Sequence, residues 1–143
     1  MFEYKCNIVR VVDGDTVDVD IDLGFGIWVR NERVRLYGVD TPESRTRDLQ
    51  EKFYGKYATE YLIAKLGDSC ILRTKKDRAG KFGRVLGEFV VYDEYSDSWK
   101  SVNEMMVRDF IAVPYHGQSK DEIARMHLEN YAALSQIGIA YSE

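Results

Sequence analysis

Hydrophobic and polar residues alternate with a period of two in the first part of the chain, which predicts β-strands. A short apolar strand covers residues 8–12 and ends at Asp13-Gly14. Residues 17–22 read VDVDID and predict a half-buried strand with one apolar and one acidic face. After a glycine turn, residues 28–39 predict a third strand, in which Val34 and Leu36 alternate with polar or bulky neighbours (Arg33, Arg35 and Tyr37).

The period changes after residue 48. Large apolar residues recur every three to five positions from Leu49 to Leu66 (Phe53, Tyr57, Tyr61, Leu62 and Leu66), which predicts an amphipathic helix ended by Gly67. Two more strands are expected at 70–72 and 85–92. Ser101 opens a capping-box pattern for a short helix. A final helix is expected from Ser119 to about Leu134, with a buried stripe of Ile123, Met126 and Tyr131.

Five strands with one helix between the third and the fourth are the order of an OB-fold barrel. We therefore predict an α+β fold, a five-stranded OB-fold β-barrel with three helices. A length of 143 residues corresponds to about one domain, so we expect a single domain over residues 1–143. We also expect a monomer.

Composition and charge narrow the function. Hydrophobic residues make up 45% and charged residues 31% of the chain, and no apolar run approaches the roughly 20 residues that span a bilayer. The net charge of −4 argues against coating nucleic acid by bulk electrostatics, yet it permits a local site that grips one or two phosphates. The N-terminus lacks a secretory signal pattern. If Met1 is the native start, we expect a cytoplasmic protein, which could be encoded by a phage or another mobile element.

The two cysteines are predicted to be buried free thiols. Cys6 and Cys70 both lie in apolar strand-like segments. Only His116 and His127 could join them in a zinc site, and no Cys-x-x-Cys spacing is present, so we expect no zinc.

Three segments concentrate residues suited to phosphodiester chemistry. The first is the turn Asp13-Gly14-Asp15, and the second runs from Arg35 to Asp40-Thr41-Pro42-Glu43. The third, Lys81-Phe82-Gly83-Arg84, contains a second arginine. Carboxylates can hold a hard cation, a further carboxylate can accept a proton, and arginines can bind a phosphate.

Each of these residues also has a plain structural interpretation. Asp13 and Asp15 could form an Asx turn around Gly14, and Asp40 and Glu43 could be turn or N-cap residues. Arg35, if it lines the barrel, needs partners, because burying an unpaired charge is costly. Asp15 and Asp40 at the same rim could supply them as a structural ion pair. Arg84 could simply be a surface residue.

The acidic strand is a separate case. Asp18, Asp20 and Asp22 have the opening spacing of an EF-hand loop, but Leu23 stands where glycine is needed. Val29 stands where the bidentate glutamate is needed. We interpret the three aspartates as a solvated outer face of a barrel strand.

Taken together, the segments resemble the staphylococcal (micrococcal) nuclease family. The resemblance includes Val12 to Val17, Arg35 to Glu43 with an unbroken Val-Asp-Thr-Pro-Glu, Lys81 to Arg84, and Val102-Asn103-Glu104 with Val107-Arg108. It extends from about Ile8 to Tyr115 and more weakly into the final helix. The chain departs from the family in its acidic charge and in Phe82, where a tyrosine is frequent.

The resemblance implies a calcium-dependent endonuclease that cleaves DNA and RNA and leaves 3′-phosphates. It implies that Asp15, Asp40 and the carbonyl of Thr41 bind Ca²⁺, with Asp13 in support. Glu43 would be the general base, and Arg35 and Arg84 would clamp the phosphate. Lys81, Phe82 and Tyr115 would line the nucleotide site, although His116 could hold the place given to Tyr115.

The expected substrate is single-stranded or breathing DNA and RNA. Two other functions stay open at the level of sequence. One is a non-catalytic OB-type module that binds nucleic acid or a protein, and the other is a structural calcium-binding domain. The second would leave the arginines without a role.

Overall fold

The computed structural model of the protein describes residues 2–75 and 85–143. In chain order, its elements are β1 (Phe2–Asp13), β2 (Thr16–Gly24), β3 (Ile27–Leu36), β4 (Val39–Asp40), α1 (Leu49–Leu66), β5 (Ser69–Lys75), β6 (Val85–Asp93), β7 (Ser98–Ser101), α2 (Val102–Arg108), β8 (Val113–Pro114) and α3 (Lys120–Gln136). None of the helices in these ranges combines the length and the apolar character needed to cross a membrane.

Five of the strands close into a barrel. Antiparallel pairing runs in the order β3-β2-β1-β5-β6, and a parallel pairing between β3 and β6, with Val34 opposite Val85, completes the ring. The predicted α+β fold with an OB-fold-like barrel is therefore confirmed. The alternating pattern did not predict β7, which extends the sheet from β6, or the separate two-stranded ladder of β4 and β8.

The core follows the predicted alternation, while one helix face differs from the prediction. Val17 and Val34 are opposite each other across β2 and β3, and both are fully buried. Helix α1 has the predicted bounds, with Gly67 at its C-terminus. Its buried face consists of Tyr54, Gly55, Ala58, Leu62 and Leu66, whereas Phe53, Tyr57 and Tyr61 are only half-buried. Gly55 lies on this face because the backbone of the Glu43 segment packs directly on the helix there.

The third strand ends earlier than predicted. It ends at Leu36, and the chain then turns through Gly38, whose φ of 76° is in the left-handed region that glycine tolerates. Val39 and Asp40 continue as β4 and pair with β8. This turn separates Asp40 from the barrel wall and places it beside the C-terminal part of the chain.

The acidic face of β2 points away from the barrel core, but it is not solvated as predicted. Asp18 is only 7% exposed, because Arg33 on β3 covers it with two hydrogen bonds of 2.8 and 3.1 Å. Asp20 is half-buried and accepts hydrogen bonds from Arg30 and from the backbone of Asn31. The register of β2 and β3 therefore pairs acidic with basic side chains on the outer surface.

The two cysteines are free thiols, as predicted. They are opposite each other on β1 and β5, with 3.8 Å between their sulfur atoms. Cys6 is buried and Cys70 is half-buried.

A candidate carboxylate and arginine site at the barrel rim

Asp15 precedes β2 in a tight turn at one end of the barrel. The carboxylate of Asp13 accepts the backbone N–H of Asp15 at 3.1 Å, which is the Asx turn anticipated from the sequence. The Thr16 hydroxyl donates to Oδ1 of Asp15 at 3.0 Å, and the backbone N–H of Leu36 donates to the Asp15 carbonyl at 2.8 Å. The turn thus uses Asp13 as its structural acceptor and leaves Oδ2 of Asp15 directed at another group.

That group is Arg35, near the end of β3. Its Nη2 lies 3.4 Å from Oδ2 of Asp15 and 3.8 Å from Oδ1 of Asp40, so the expected partners are confirmed. Its Nη1 donates to the carbonyl of Leu36 at 2.9 Å, which fixes the guanidinium. Arg35 does not line the barrel interior. The pairing register places it on the face of β3 that carries Arg33, opposite the buried Val34 and Leu36.

Asp40 and Thr41 meet the Asp15 turn through close backbone packing. Thr41 is 4% exposed and follows directly after β4. A Cβ atom on Gly14 would lie 2.9 Å from Oγ1 of Thr41 and 2.8 Å from Cβ of Ala58 on α1. Glycine at position 14 is therefore required for this approach, which holds the turn and the Asp40-Thr41 segment together.

Glu43 lies just beyond, on an exposed stretch before α1. It is not a helix cap, because Asp48 caps α1 by accepting the N–H groups of Gln50 and Glu51. Its own backbone N–H donates to Glu51 at 3.1 Å, and Gly55 allows its carbonyl to pack against the helix. Within residues 2–75 and 85–143, the Glu43 carboxylate has no hydrogen-bond or ion-pair partner, so it remains available to a ligand or a water molecule.

The electrostatics of the rim differ from those of an ordinary ion pair. Burial, followed by the neighbouring Asp13, raises the pKa of Asp15 to about 7, although Arg35 opposes this shift. Desolvation, followed by the negative charges of Asp13, Glu51 and Asp40, raises the pKa of Glu43. The single positive charge of Arg35 lies beside the carboxylates of both Asp15 and Asp40, so among the described residues it cannot neutralise both of them.

The donor set fits a hard divalent cation. Oδ2 of Asp15 and Oδ1 of Asp40 both approach the same nitrogen of Arg35, so these oxygens converge on one region. Oxygen-only donors in an irregular arrangement, with room for water, suit Ca²⁺. The part of the chain that the structure describes contains no group of three or more Asp, Glu, His or Cys side chains that could hold a metal ion, so a cation at the rim would be held by two carboxylates together with backbone and water oxygens.

The remaining predicted residues divide into two groups. Lys81, Phe82 and Arg84 lie outside the described residues, while Val85, next in sequence, pairs with Val34 beside Arg35. Tyr115 is 44% exposed, and its backbone N–H donates to the carbonyl of Gly38 at 2.8 Å. It therefore lies next to the strand that carries Asp40. His116 is also exposed, and its backbone N–H is bound by Gln118.

Sequence reasoning missed one residue of the site, His127 on α3. Its Nε2 lies 2.7 Å from Oδ2 of Asp40, and the residue is 8% exposed. The signal was present, because Ile123, His127, Tyr131 and Leu134 follow helical spacing and place His127 on the inner stripe. A buried imidazole needs a polar partner. Helix α3 contacts β8, and β8 pairs with β4, the strand that carries Asp40.

The fold and the rim define an OB-fold-like barrel with carboxylates grouped around an arginine. The family model described as staphylococcal nuclease homologue matches residues 33–139. The chain is 30% identical over 142 residues to Protein ParB of Escherichia coli, a match that covers 96% of this chain and 72% of that protein. The chain therefore belongs to the staphylococcal nuclease homologue family.

Two further relatives carry nuclease names. A thermonuclease of Staphylococcus intermedius is 35% identical over 88 residues, which cover 61% of this chain and 49% of that protein. A micrococcal nuclease of Shigella flexneri is 26% identical over 141 residues, which cover 96% of this chain and 74% of that protein.

Proposed function

We propose that this chain is a calcium-dependent endonuclease that hydrolyses phosphodiester bonds of DNA and RNA and leaves 3′-phosphate ends. The observation that carries the proposal is the placement of Arg35 between Asp15 and Asp40, with the carboxylate of Glu43 left unpaired by the described residues. Membership of a family that includes named nucleases supports the same reaction class. The proposal that cleavage leaves 3′-phosphate ends rests only on the similarity to these nucleases.

Asp15, Asp40 and the carbonyl of Thr41 would hold the calcium ion, with Asp13 fixing the turn behind Asp15. When bound, the ion would neutralise a non-bridging phosphate oxygen and orient the attacking water. Burial, followed by the neighbouring Asp13, raises the pKa of Asp15 to about 7, and this supports the assignment because a bound cation would favour the charged carboxylate.

Glu43 would accept the proton of the attacking water. A raised pKa suits a general base that works near neutral pH, and a well-placed base contributes about 10²–10⁴-fold. Arg35 would bind the equatorial phosphate oxygens as their charge grows, held in position by the carbonyl of Leu36. We propose Arg84 as the second arginine of this clamp.

We propose that the substrate is single-stranded or locally open nucleic acid, gripped at Lys81 and Arg84 and stacked on exposed rings. Tyr115 is the candidate ring in the described part of the site, since it is exposed beside the Asp40 strand. Stacking on an aromatic face tolerates any base, which fits low sequence preference. Phe82 would offer a second ring without a hydroxyl group.

The test is cleavage of end-labelled single-stranded DNA by the purified protein. We expect cleavage with millimolar Ca²⁺, none with EGTA, and much weaker cleavage with Mg²⁺, which demands a regular octahedral site. Glu43→Gln, purified in parallel, controls for contaminating nucleases. The 3′ ends of the products should resist ligation to a 5′-phosphorylated adaptor until a phosphatase removes their 3′-phosphates. DNA binding without cleavage would favour the non-catalytic module, and equal cleavage in EGTA would contradict the calcium assignment.

A further inference from the structure

His127 connects the last helix of the chain to the proposed calcium site. Its Nε2 lies within hydrogen-bond distance of Oδ2 of Asp40, at 2.7 Å, and its side chain is 10% exposed. The other ring nitrogen, Nδ1, is buried without a hydrogen-bond partner among the described residues. We assign a proton to Nε2, because an ionised carboxylate can only accept a hydrogen bond, so that Nε2 is the donor in this contact.

Helix α3 is attached to Asp40 in two ways, directly through His127 and indirectly through β8. Asp40 pairs with Val113 in the ladder of β4 and β8. Asn130, one turn beyond His127 on α3, donates to the carbonyl of Ala112 at 3.2 Å, directly before β8. The helix therefore holds the strand from behind while His127 holds the carboxylate itself. Two different attachments can accordingly be removed one at a time.

The two oxygens of Asp40 have different neighbours. Oδ1 faces Nη2 of Arg35, on the side of Asp15, whereas Oδ2 is occupied by His127. A carboxylate can bind calcium through one oxygen or through both. With Oδ2 engaged by the imidazole at 2.7 Å, Oδ1, whose contact with Arg35 is 3.8 Å, is the oxygen left to bind a cation.

We propose that His127 is a positioning residue that reserves Oδ2 of Asp40 and makes Asp40 a one-oxygen ligand of the calcium ion. The proposal rests on the proposed function, because it presupposes that Asp40 binds the metal. Hydrogen bonds that orient a ligating side chain commonly support metal affinity by about 10–100-fold. His127 would therefore set both the orientation of Asp40 and the number of water molecules that remain on the metal.

The experiment compares calcium affinity and metal hydration in four variants of the full chain. His127→Phe keeps a planar ring without a donor, and His127→Asn shortens the side chain so that it no longer reaches Asp40. His127→Gln keeps an N–H donor of similar reach. Asn130→Ala loosens α3 from β8 without touching Asp40. Affinity is measured by calorimetric titration with Ca²⁺, and hydration by the luminescence lifetime of bound Eu³⁺ in H₂O and D₂O.

We expect His127→Phe and His127→Asn to bind calcium about 10–100-fold more weakly than the wild type. They should also lose about one metal-bound water, because Oδ2 becomes free to bind the metal as a second oxygen. His127→Gln and Asn130→Ala should retain the wild-type water count. If His127→Phe does not fold, His127→Asn carries the test.

Unchanged affinity and hydration in the two variants that lose the donor would overturn the proposal while leaving the proposed function intact. The same loss in Asn130→Ala as in His127→Phe would also overturn it, because helix docking alone would then explain the effect. A wild-type chain that binds neither Ca²⁺ nor Eu³⁺ would contradict the calcium site and this proposal together.

Discussion

Asp15 and Asp18 are three positions apart at the start of β2, yet their surroundings are opposite. Asp18 receives two hydrogen bonds from Arg33, which lower its pKa below the ordinary value. Asp15 shares Arg35 with Asp40 and has Asp13 beside it, and burial raises its pKa to about 7. A carboxylate with its own arginine is structurally complete. Asp15 is buried and competes with Asp40 for one arginine, which is why we propose that it binds a further cation.

The same contrast separates the two arginines of β3. Arg33 and Arg35 lie on one face of the strand, two residues apart, and each contacts an aspartate. Arg33 is committed to Asp18 on the outer surface of the barrel. Arg35 lies at the rim, between residues that we propose for metal binding, and close to Glu43, which has no ion-pair partner among residues 2–75 and 85–143. Both regions contain aspartates and arginines. The geometry at the rim, rather than the residue type, therefore distinguishes the proposed metal site from the paired surface, by which we mean the outer face of β2 and β3 with its acidic and basic side chains in pairs.

The largest effect is expected on turnover. Glu43→Gln and Arg35→Ala should each lower kcat for single-stranded DNA by at least about 10²-fold, because they remove the proposed base and a charge that stabilises the transition state. Arg33→Ala is the matched control and should keep kcat within a few-fold, although it uncovers the buried Asp18. Circular dichroism must show that each variant is folded. A folded, fully active Arg35→Ala would refute its catalytic role.

The next effect concerns stability and its dependence on pH, measured by urea unfolding in EGTA between pH 4 and pH 8. Asp15→Asn should increase the free energy of unfolding at pH 8, by up to about 4 kcal/mol for a pKa that moves from 3.8 to about 7. The native state binds this proton more tightly than the unfolded state does. The stability of the wild type relative to Asp15→Asn should therefore fall as pH rises from about 4 to about 7.

Asp18→Asn should behave in the opposite way. The lowered pKa of Asp18 means that its charged form stabilises the native state, so the variant should be less stable than the wild type at pH 8. The difference should stay nearly constant between pH 4 and pH 8, because it is lost only as pH falls below the ordinary value of 3.8 and through the lowered pKa. If Asp15→Asn and Asp18→Asn destabilise the protein alike at pH 8, Asp15 is a structural partner of Arg35 and the contrast between the two sites fails.

The smallest effect is expected in the salt dependence of binding. A chain with a net charge of −4 should contact few phosphates, so the slope of log affinity against log salt should be about −2 to −4. The measurement uses Glu43→Gln with single-stranded DNA in Ca²⁺, so that binding occurs without cleavage. A slope near about −8 would reveal an extended basic surface, which the described residues do not offer.

The sequence predicted correctly those strands and helices whose hydrophobic pattern and terminal residues agree with their packing in the fold. The strict alternation of residues 17–22 located β2, and Gly67 ended α1 where the pattern ended. The prediction was wrong where one element packs against another. Gly55 and Ala58, rather than Phe53 and Tyr57, lie on the buried face of α1, because the Glu43 segment and Gly14 pack closely against the helix.

The candidate site was predicted in its residues more than in its geometry. The ion pairs of Arg35 with Asp15 and Asp40 were anticipated, but the separate strand β4 that carries Asp40 was not, because its pairing with β8 joins segments far apart in the chain. His127 was missed because its partner, Asp40, is 87 residues away in the chain. Helical spacing places His127 on the inner stripe of α3, but the contact with Asp40 forms only once β8 and α3 are docked, so the spacing alone does not identify the partner.

The most direct test of the central claim is calorimetric titration of the wild type, Asp15→Asn and Asp20→Asn with Ca²⁺ at pH 8. Asp20 is the control, since its pKa is lowered, chiefly by the backbone N–H of Asn31, and it belongs to the paired surface. We predict that the wild type and Asp20→Asn bind one calcium ion with similar affinity, and that Asp15→Asn loses this binding. Equal binding by all three proteins, or loss in Asp20→Asn alone, would contradict the assignment of the rim as the calcium site.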